Sequence, residues 1–224
     1  MNLLNSLLGK QVVAVVAGVA QPLEGTLVDT GTDVIVISSG VKFLYIPIAH
    51  VKSLINNLEA IVEQNDIPVS LPTSQETTIS LQTLVENSQG SFTEIHVAGA
   101  HALHGYIQRV LADYLLFYSP IFDTILVHMK HLKYLVPYPP QFVPYSLKQD
   151  KLNSDLSAVS TEPNFIQQLE KMEGSSIVID LAAPFQKAGL LKKVQAPTFE
   201  LVTPTGESIF APLDHIQTVN YPRK

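Results

Sequence analysis

The sequence predicts a mainly β chain built from three tandem five-stranded barrels, each preceded by a short helix. Two observations carry this prediction. Three segments, each running from a glycine to a histidine, span 41 positions: Gly9 to His50, Gly90 to His131 and Gly174 to His215. Each segment also holds an inner glycine 15 or 16 positions after the first, at Gly25, Gly105 and Gly189. A repeat of fixed length indicates one small structural unit present in three copies.

A short helix is predicted directly before the leading glycine of each block. Leucines recur with helical spacing between Leu3 and Leu8, and comparable apolar runs begin at Leu81 and Phe165. Glycine tolerates the left-handed backbone conformation that ends many helices. We therefore expect each helix to end at its leading glycine.

Two strands are predicted after that glycine. Apolar and β-branched residues alternate or run together at 12–16, 92–97 and 177–181, as is typical of strands. The inner glycine falls in the second run of each block. A small closed barrel bends its second strand sharply, and a side chain would obstruct the bend. Each inner glycine is therefore interpreted as a packing position.

Three more strands follow a break in the chain eight residues after the inner glycine, at Asp33, Asp113 or Pro197. The third strands are predicted at 34–37, 114–118 and 199–202, and a turn leads each into a fourth. Asp33 and Asp113 are interpreted as residues that cap or shape the turn before strand three. A short fifth strand begins at the repeated histidines, which we interpret as hydrogen-bonded within their own barrels: His50, His131 and His215.

This pattern of a helix, five bent strands, a glycine in strand two and an aspartate before strand three resembles the Sm-like barrel. Block one is also similar to the small-barrel segments of Bacillus-type spore coat proteins such as spore coat protein B. The residues that carry this likeness are Gly25, Leu27, Asp33, Tyr45, Ile46, Pro47, His50, Val51, Lys52 and Ser53. The likeness covers about two thirds of the chain as three blocks and is weakest in block three. It implies non-enzymatic barrels that associate edge to edge through their fourth and fifth strands.

The spacing sets the expected domain boundaries. Barrel 1 is predicted at 1–58, barrel 2 at 80–137 and barrel 3 at 164–224, with linkers at 59–79 and 138–163. Prolines make both linkers extended. The segment from Tyr134 to Tyr145 alternates aromatic residues with prolines. Its rings either pack on the neighbouring barrels or form a docking segment for a partner.

Composition bounds the class of protein. Apolar residues make up 46% of the chain and charged residues 15%, which predicts apolar faces that meet each other or partner chains. The longest apolar run, near Val12 to Ala20, is too short to cross a bilayer. No cysteine occurs, which excludes disulfides and thiolate sites. With no signal-peptide pattern at the start, synthesis in the cytoplasm is expected, with assembly on a spore surface as the likeness implies.

Few residues suggest chemistry. His101 and His104 are candidate metal ligands, but the sequence offers no acidic residues nearby to complete a site. Phosphate-binding loops, nucleophile elbows and zinc-protease motifs are absent from the sequence. We therefore expect no enzymatic activity, cofactor or metal.

RNA binding is the competing hypothesis, because the Sm-like family is known for it. The lysine–histidine pair of the bacterial RNA chaperone of this fold is retained only at Lys130 and His131. The net charge of −6 has the wrong sign for a general phosphate binder. The sequence therefore favours a structural or scaffolding protein whose partners are copies of itself or other coat proteins, with RNA binding as the alternative.

Overall fold

The computed structural model describes residues 3–56, 79–97, 102–139, 141–142, 144–146, 160–181 and 187–220. These residues form a mainly β protein with two α-helices, so the prediction of a mainly β fold is confirmed. We call residues 3–56 unit 1, residues 79–139 unit 2 and residues 160–220 unit 3. Most of the two predicted linkers lies outside the described residues. No helix in the described part of the chain is long and apolar enough to cross a membrane.

Each unit begins with one helix, which five strands follow. A 3₁₀ turn separates the fourth strand from the fifth in each unit, at Ile48–His50, Met129–His131 and Leu213–His215. Unit 1 has a 3₁₀ helix at Leu3–Leu7, then β1 (Gln11–Val16), β2 (Leu23–Thr30), β3 (Val34–Ser39), β4 (Lys42–Pro47) and β5 (Val51–Asn56). Unit 2 has α1 (Leu81–Asn87), β6 (Phe92–His96), β7 (Leu103–Val110), β8 (Tyr114–Ser119), β9 (Asp123–His128) and β10 (Tyr134–Pro137). Unit 3 has α2 (Phe165–Lys171), β11 (Ser176–Ile179), β12 (Lys187–Gln195), β13 (Thr198–Val202), β14 (Ser208–Pro212) and β15 (Thr218–Asn220).

The helices begin where the sequence indicates and end two or three residues before the leading glycines. Ser80 and Asn164 cap the two α-helices by accepting a hydrogen bond from the third backbone N–H that follows each of them, as short polar caps do. The leading glycines follow the helical segments and have positive φ angles of 75° at Gly9, 78° at Gly90 and 81° at Gly174. Glycine adopts this conformation without the steric cost of a side chain.

The prediction of three closed barrels is wrong. All fifteen strands form one open antiparallel sheet in the order β14-β13-β12-β11-β15-β9-β8-β7-β6-β10-β4-β3-β2-β1-β5. Within each unit the fifth strand pairs with the first, but the fourth strand pairs with the fifth strand of the next unit. The closing edges of β4, β10, β9 and β15 are therefore paired with a neighbouring unit, since the backbone groups of a buried edge need partners.

Each unit nevertheless has its own hydrophobic core. Alternate residues of β1 are buried, as expected for a strand with one face on the core. The three buried clusters are centred on units 1, 2 and 3. Neighbours contribute at the boundaries: Val136 of unit 2 belongs to the core of unit 1, and Leu126 of unit 2 belongs to that of unit 3. The boundaries between units are therefore apolar and packed.

The inner glycines lie where the second strand crosses the third at close range. A Cβ atom added to Gly25 would lie 2.1 Å from the carbonyl oxygen of Ser38, and one added to Gly105 would lie 2.0 Å from that of Tyr118. For Gly189 the corresponding distance, to Val202, is 2.4 Å. Each glycine is followed within a few residues by a register shift between strands two and three. All three units therefore have a β-bulge or irregularity shortly after the inner glycine.

Candidate assembly edges

Two joints between units are built from strand edges. In the first, β4 of unit 1 pairs with β10 of unit 2, with Leu135 opposite Tyr45. In the second, β9 of unit 2 pairs with β15 of unit 3, with Val219 opposite Leu126. Both pairings are antiparallel. Each joint therefore places the fourth strand of one unit against the fifth strand of the next.

A histidine reinforces each joint. The Nε2 atom of His50 lies 2.9 Å from the carbonyl oxygen of Lys130, and that of His131 lies 2.8 Å from the carbonyl oxygen of Asp214. A carbonyl oxygen only accepts, so Nε2 carries the hydrogen in both. The interpretation that these histidines bond within their own barrels is therefore wrong for His50 and His131, because each faces the 3₁₀ turn of the following unit.

In the first joint, the second ring nitrogen of His50, Nδ1, also has a partner. The ammonium group of Lys133 lies 3.2 Å from Nδ1 of His50 and donates to it. Burial lowers the pKa of His50, and the charge of Lys133 lowers it further. In the second joint burial lowers the pKa of His131 to about 4. Both rings are therefore neutral at pH 7 and each donates only one ring hydrogen.

The repeated aspartates form a third contact at each joint. Oδ1 of Asp33 accepts a hydrogen bond of 2.8 Å from the backbone N–H of Leu81, and Oδ1 of Asp113 accepts one of 2.8 Å from that of Phe165. Leu81 and Phe165 are the first residues of α1 and α2. These carboxylates lie in the turn before strand three, as the sequence predicts. Their partners, however, belong to the helix of the next unit, where free N–H groups attract negative charge.

Ion pairs cross the joints at the surface. Lys42 in β4 pairs with Glu94 in β6 at 3.1 Å, and Lys130 pairs with Asp214 at 3.0 Å. The Lys130 and Asp214 side chains are 57% and 75% exposed. An ion pair this exposed contributes little stability, so it is the strands and the histidines that hold the joints.

Two strand edges have no partner strand among the described residues. They are β14 in unit 3 and β5 in unit 1, the two ends of the sheet. Phe210 in β14 is 70% exposed and Ile55 in β5 is 52% exposed, whereas Leu126 in the paired strand β9 is fully buried. An exposed strand edge with apolar side chains is a template for pairing with another chain.

The candidate RNA pair lies inside the second joint. Lys130 is engaged by Asp214, and His131 by the backbone of the same residue. The partner residue, Asp214, places a carboxylate where a phosphate would have to approach. Lys130 and His131 therefore both contact Asp214 at the boundary between units 2 and 3.

The candidate metal ligands are not brought together in the described structure. His101 lies outside the described residues. His104, in β7, is half-buried, and its Nδ1 atom lies 3.3 Å from the hydroxyl oxygen of Tyr138. Within the described part of the chain, no group of three histidine or acidic residues could hold a metal ion.

The described rings of the aromatic-proline segment pack on unit 2. Tyr134 lies in β10 and stacks on His96 with ring centroids 4.9 Å apart. Tyr138 and Phe142 contact Phe92 at 5.3 and 5.8 Å. This packing agrees with the interpretation that the rings of the segment pack on neighbouring units. Phe142 is nevertheless 43% exposed.

Sequence reasoning missed the partners of the repeated residues. The oxygen atoms that the histidines contact belong to the backbone, so no side-chain pattern marks them. The helix residues that Asp33 and Asp113 contact lie 48 and 52 positions later. One available signal was the change from aspartate to Pro197 in block three, which sets the third unit apart from the other two.

Comparison with known proteins finds relatives without an assigned activity. A family profile described as the YwrJ third domain matches residues 164–219, which is most of unit 3. A Bacillus subtilis (strain 168) protein described as "Uncharacterized protein YwrJ" is 33% identical over 225 residues, covering 98% of this chain and 99% of the relative. The likeness spans all three units.

Proposed function

This chain belongs to the YwrJ family, and from that premise we propose that it is a non-enzymatic structural protein that assembles with other protein chains through the two exposed edges of its sheet. The observation that carries the proposal is the construction of the sheet itself. Each joint inside the chain is a pairing of a fourth and a fifth strand, and one strand of each kind is left exposed at the ends.

The apolar character of the free edges supports this proposal. Phe210 and Ile55 are exposed apolar residues of the two edge strands, whereas Lys52 lies near the start of β5 and Pro212 ends β14. Large exposed apolar residues on an unpaired strand favour a protein partner over water. In addition, β-strand addition supplies affinity through backbone hydrogen bonds and needs no pocket.

The proposal keeps the likeness of each unit to an Sm-like barrel with one change, namely that the barrel is open and not closed. The strand order within a unit is β5-β1-β2-β3-β4, bent at the inner glycine. We propose that each unit is an Sm-like barrel left open between its fourth and fifth strands. A place in a spore coat, assembled there after synthesis in the cytoplasm, is part of the same proposal and rests on the likeness of block one.

RNA binding is the alternative function. It has Lys130 in its favour, since the side chain of this residue is 57% exposed. The negative net charge and the carboxylate of Asp214 oppose it, because phosphate affinity comes largely from lysine and arginine.

Two measurements decide between these functions. Light scattering over a concentration series is compared for the wild type and for the double variant F210K/I55K, in which both exposed edges carry a charge. Labelled single-stranded RNA is titrated at low salt, where a phosphate binder is strongest. We expect complexes that the double variant abolishes, and no RNA affinity. Complexes that persist in the double variant, or salt-sensitive RNA binding that K130A removes, would overturn the proposal.

A further inference from the structure

We infer that the occupant of each free edge is a second copy of this chain, with β14 of one copy paired antiparallel to β5 of the next. The inference rests on the proposed function and adds the identity of the partner and the register of the contact.

Both internal joints follow the same register. Leu135 lies opposite Tyr45 in the first joint, and Val219 lies opposite Leu126 in the second. In both, one residue comes four positions after the histidine of its own unit, and its partner comes five positions before the histidine of the other unit. Because the two joints share one register, they define a rule for how the fourth strand of one unit pairs with the fifth strand of the next.

The same rule specifies a third joint between copies. The residue four positions after His50 is Leu54, and the residue five positions before His215 is Phe210. Phe210 of one copy therefore lies opposite Leu54 of the next. The two sides of this contact differ, so each copy offers one edge and accepts the other. Such a heterologous contact extends the sheet from copy to copy and closes into a ring or continues as a filament.

The third histidine is free to make the contact that its two counterparts make. His215 is exposed, and its side chain forms no hydrogen bond with any residue that the structure describes. His50 and His131 donate to the backbone oxygen of the residue directly before the next histidine. In unit 1 that residue is Ala49, which is exposed. In the joint between copies, Nε2–H of His215 donates to the carbonyl oxygen of Ala49 in the second copy.

Lys52 completes the correspondence. It comes two positions after His50, as Lys133 comes two positions after His131. Lys133 donates to Nδ1 of His50 across the first joint. The exposed Lys52 of the second copy is thus placed to donate to Nδ1 of His215.

One contact of the internal joints is missing from the joint between copies, and its absence makes that joint weaker. Pro197 stands where Asp33 and Asp113 stand, so unit 3 has no carboxylate to receive the first helix of the next copy. Association of separate chains also costs translational and rotational freedom that the internal joints do not lose again. The joint between copies is therefore weaker than the internal joints and depends on protein concentration.

A complementation experiment tests the inference. F210K places a charge on β14 only, and I55K places one on β5 only. Both positions are exposed, so neither change alters the fold appreciably. We expect the wild type to gain mass with concentration in light scattering and each single variant to remain monomeric. An equimolar mixture should stop at a dimer, because only β14 of the I55K chain and β5 of the F210K chain remain intact.

A disulfide experiment tests the register. The chain has no cysteine, so introduced thiols have no background. Mild oxidation of F210C mixed with L54C should give a linked dimer, because directly opposed residues lie close together. F210C mixed with S53C is the control, since neighbouring side chains of a strand point to opposite faces. Equal linkage in both mixtures would overturn the register.

The outcomes separate this inference from the proposed function. Single variants that block assembly without forming a dimer when mixed overturn the second copy as the partner on each edge and leave the proposed function standing. A monomeric wild type overturns both. The proposed function also falls on other results, namely complexes that survive F210K/I55K or RNA binding that depends on Lys130.

Discussion

The carboxylate of Asp113 accepts a hydrogen bond of 2.8 Å from the backbone N–H of Phe165, and so joins the turn of unit 2 to the first residue of α2 in unit 3. Asp33 makes the same contact with Leu81. A helix leaves its first N–H groups without partners inside the helix. Units 1 and 2 therefore each contact the helix of the next unit as well as its sheet.

Removing this contact should loosen the second joint. Asp113→Ala leaves the N–H of Phe165 without its carboxylate, and we expect a loss of about 1 kcal/mol in the free energy of unfolding, as for other helix caps. Chemical denaturation measures it. Asp214→Ala, which removes only an ion pair at the surface, is the control and should change stability by less than about 0.5 kcal/mol. An equal effect of the two changes would contradict the role assigned to Asp113.

Replacing an inner glycine even by alanine should destabilise the protein. A Cβ atom on Gly105 would lie 2.0 Å from the carbonyl oxygen of Tyr118, so Gly105→Ala must push β7 and β8 apart at a cost of about 2 to 3 kcal/mol. In Gly174→Ala the new atom meets nothing within 4 Å, and only the positive φ of 81° is strained, at a cost of about 1 kcal/mol. Thermal unfolding should rank the two variants in that order. A Gly105→Ala variant as stable as the wild type would refute the packing argument.

The repeated histidines should differ in their effect on the isolated chain. His50→Ala removes a hydrogen bond to the backbone of Lys130, and we expect a loss of about 1 kcal/mol in the free energy of unfolding. His215→Ala removes no such bond, so in dilute solution its stability should match the wild type within about 0.5 kcal/mol. Denaturation at low protein concentration makes the comparison. A larger effect of His215→Ala than of His50→Ala under these conditions would contradict the assignment of joints.

The sequence was sufficient to predict what lies within a unit and insufficient for what lies between units. Gly105 could be recognised as a packing position because the atom that it lies against, the carbonyl oxygen of Tyr118, belongs to the neighbouring strand of the same repeat. His131, in contrast, was expected to bond within its barrel, since its partner is a backbone oxygen that any residue supplies. The same reason explains the wrong expectation of closed barrels. A fourth strand pairs equally well with its own fifth strand or with that of the next unit, and the alternation of side chains is identical in both cases.

Acidification should weaken the second joint through His131. Burial holds its pKa at about 4, below the ordinary value of 6.5, so the unfolded chain binds the proton first. The contribution of the neutral ring is therefore complete above about pH 6.5 and is lost as the pH falls toward about 4. The groups that face the ring are His128, Lys130, Lys133 and Asp214.

His131→Gln isolates this effect, because the amide group still donates to the carbonyl oxygen of Asp214 but does not titrate. Burial also lowers the pKa of His50 and His128, and it raises that of Asp180, so the wild type and the variant share those contributions and the difference between them reports His131. We expect the variant to lose about 1 to 2 kcal/mol less stability than the wild type between pH 7 and pH 4, after allowance for the partial exposure of the ring. Urea denaturation at a series of pH values measures both curves. Parallel curves would mean that His131 carries no proton-linked stability, and the neutral hydrogen bond across the second joint would then have to be given up.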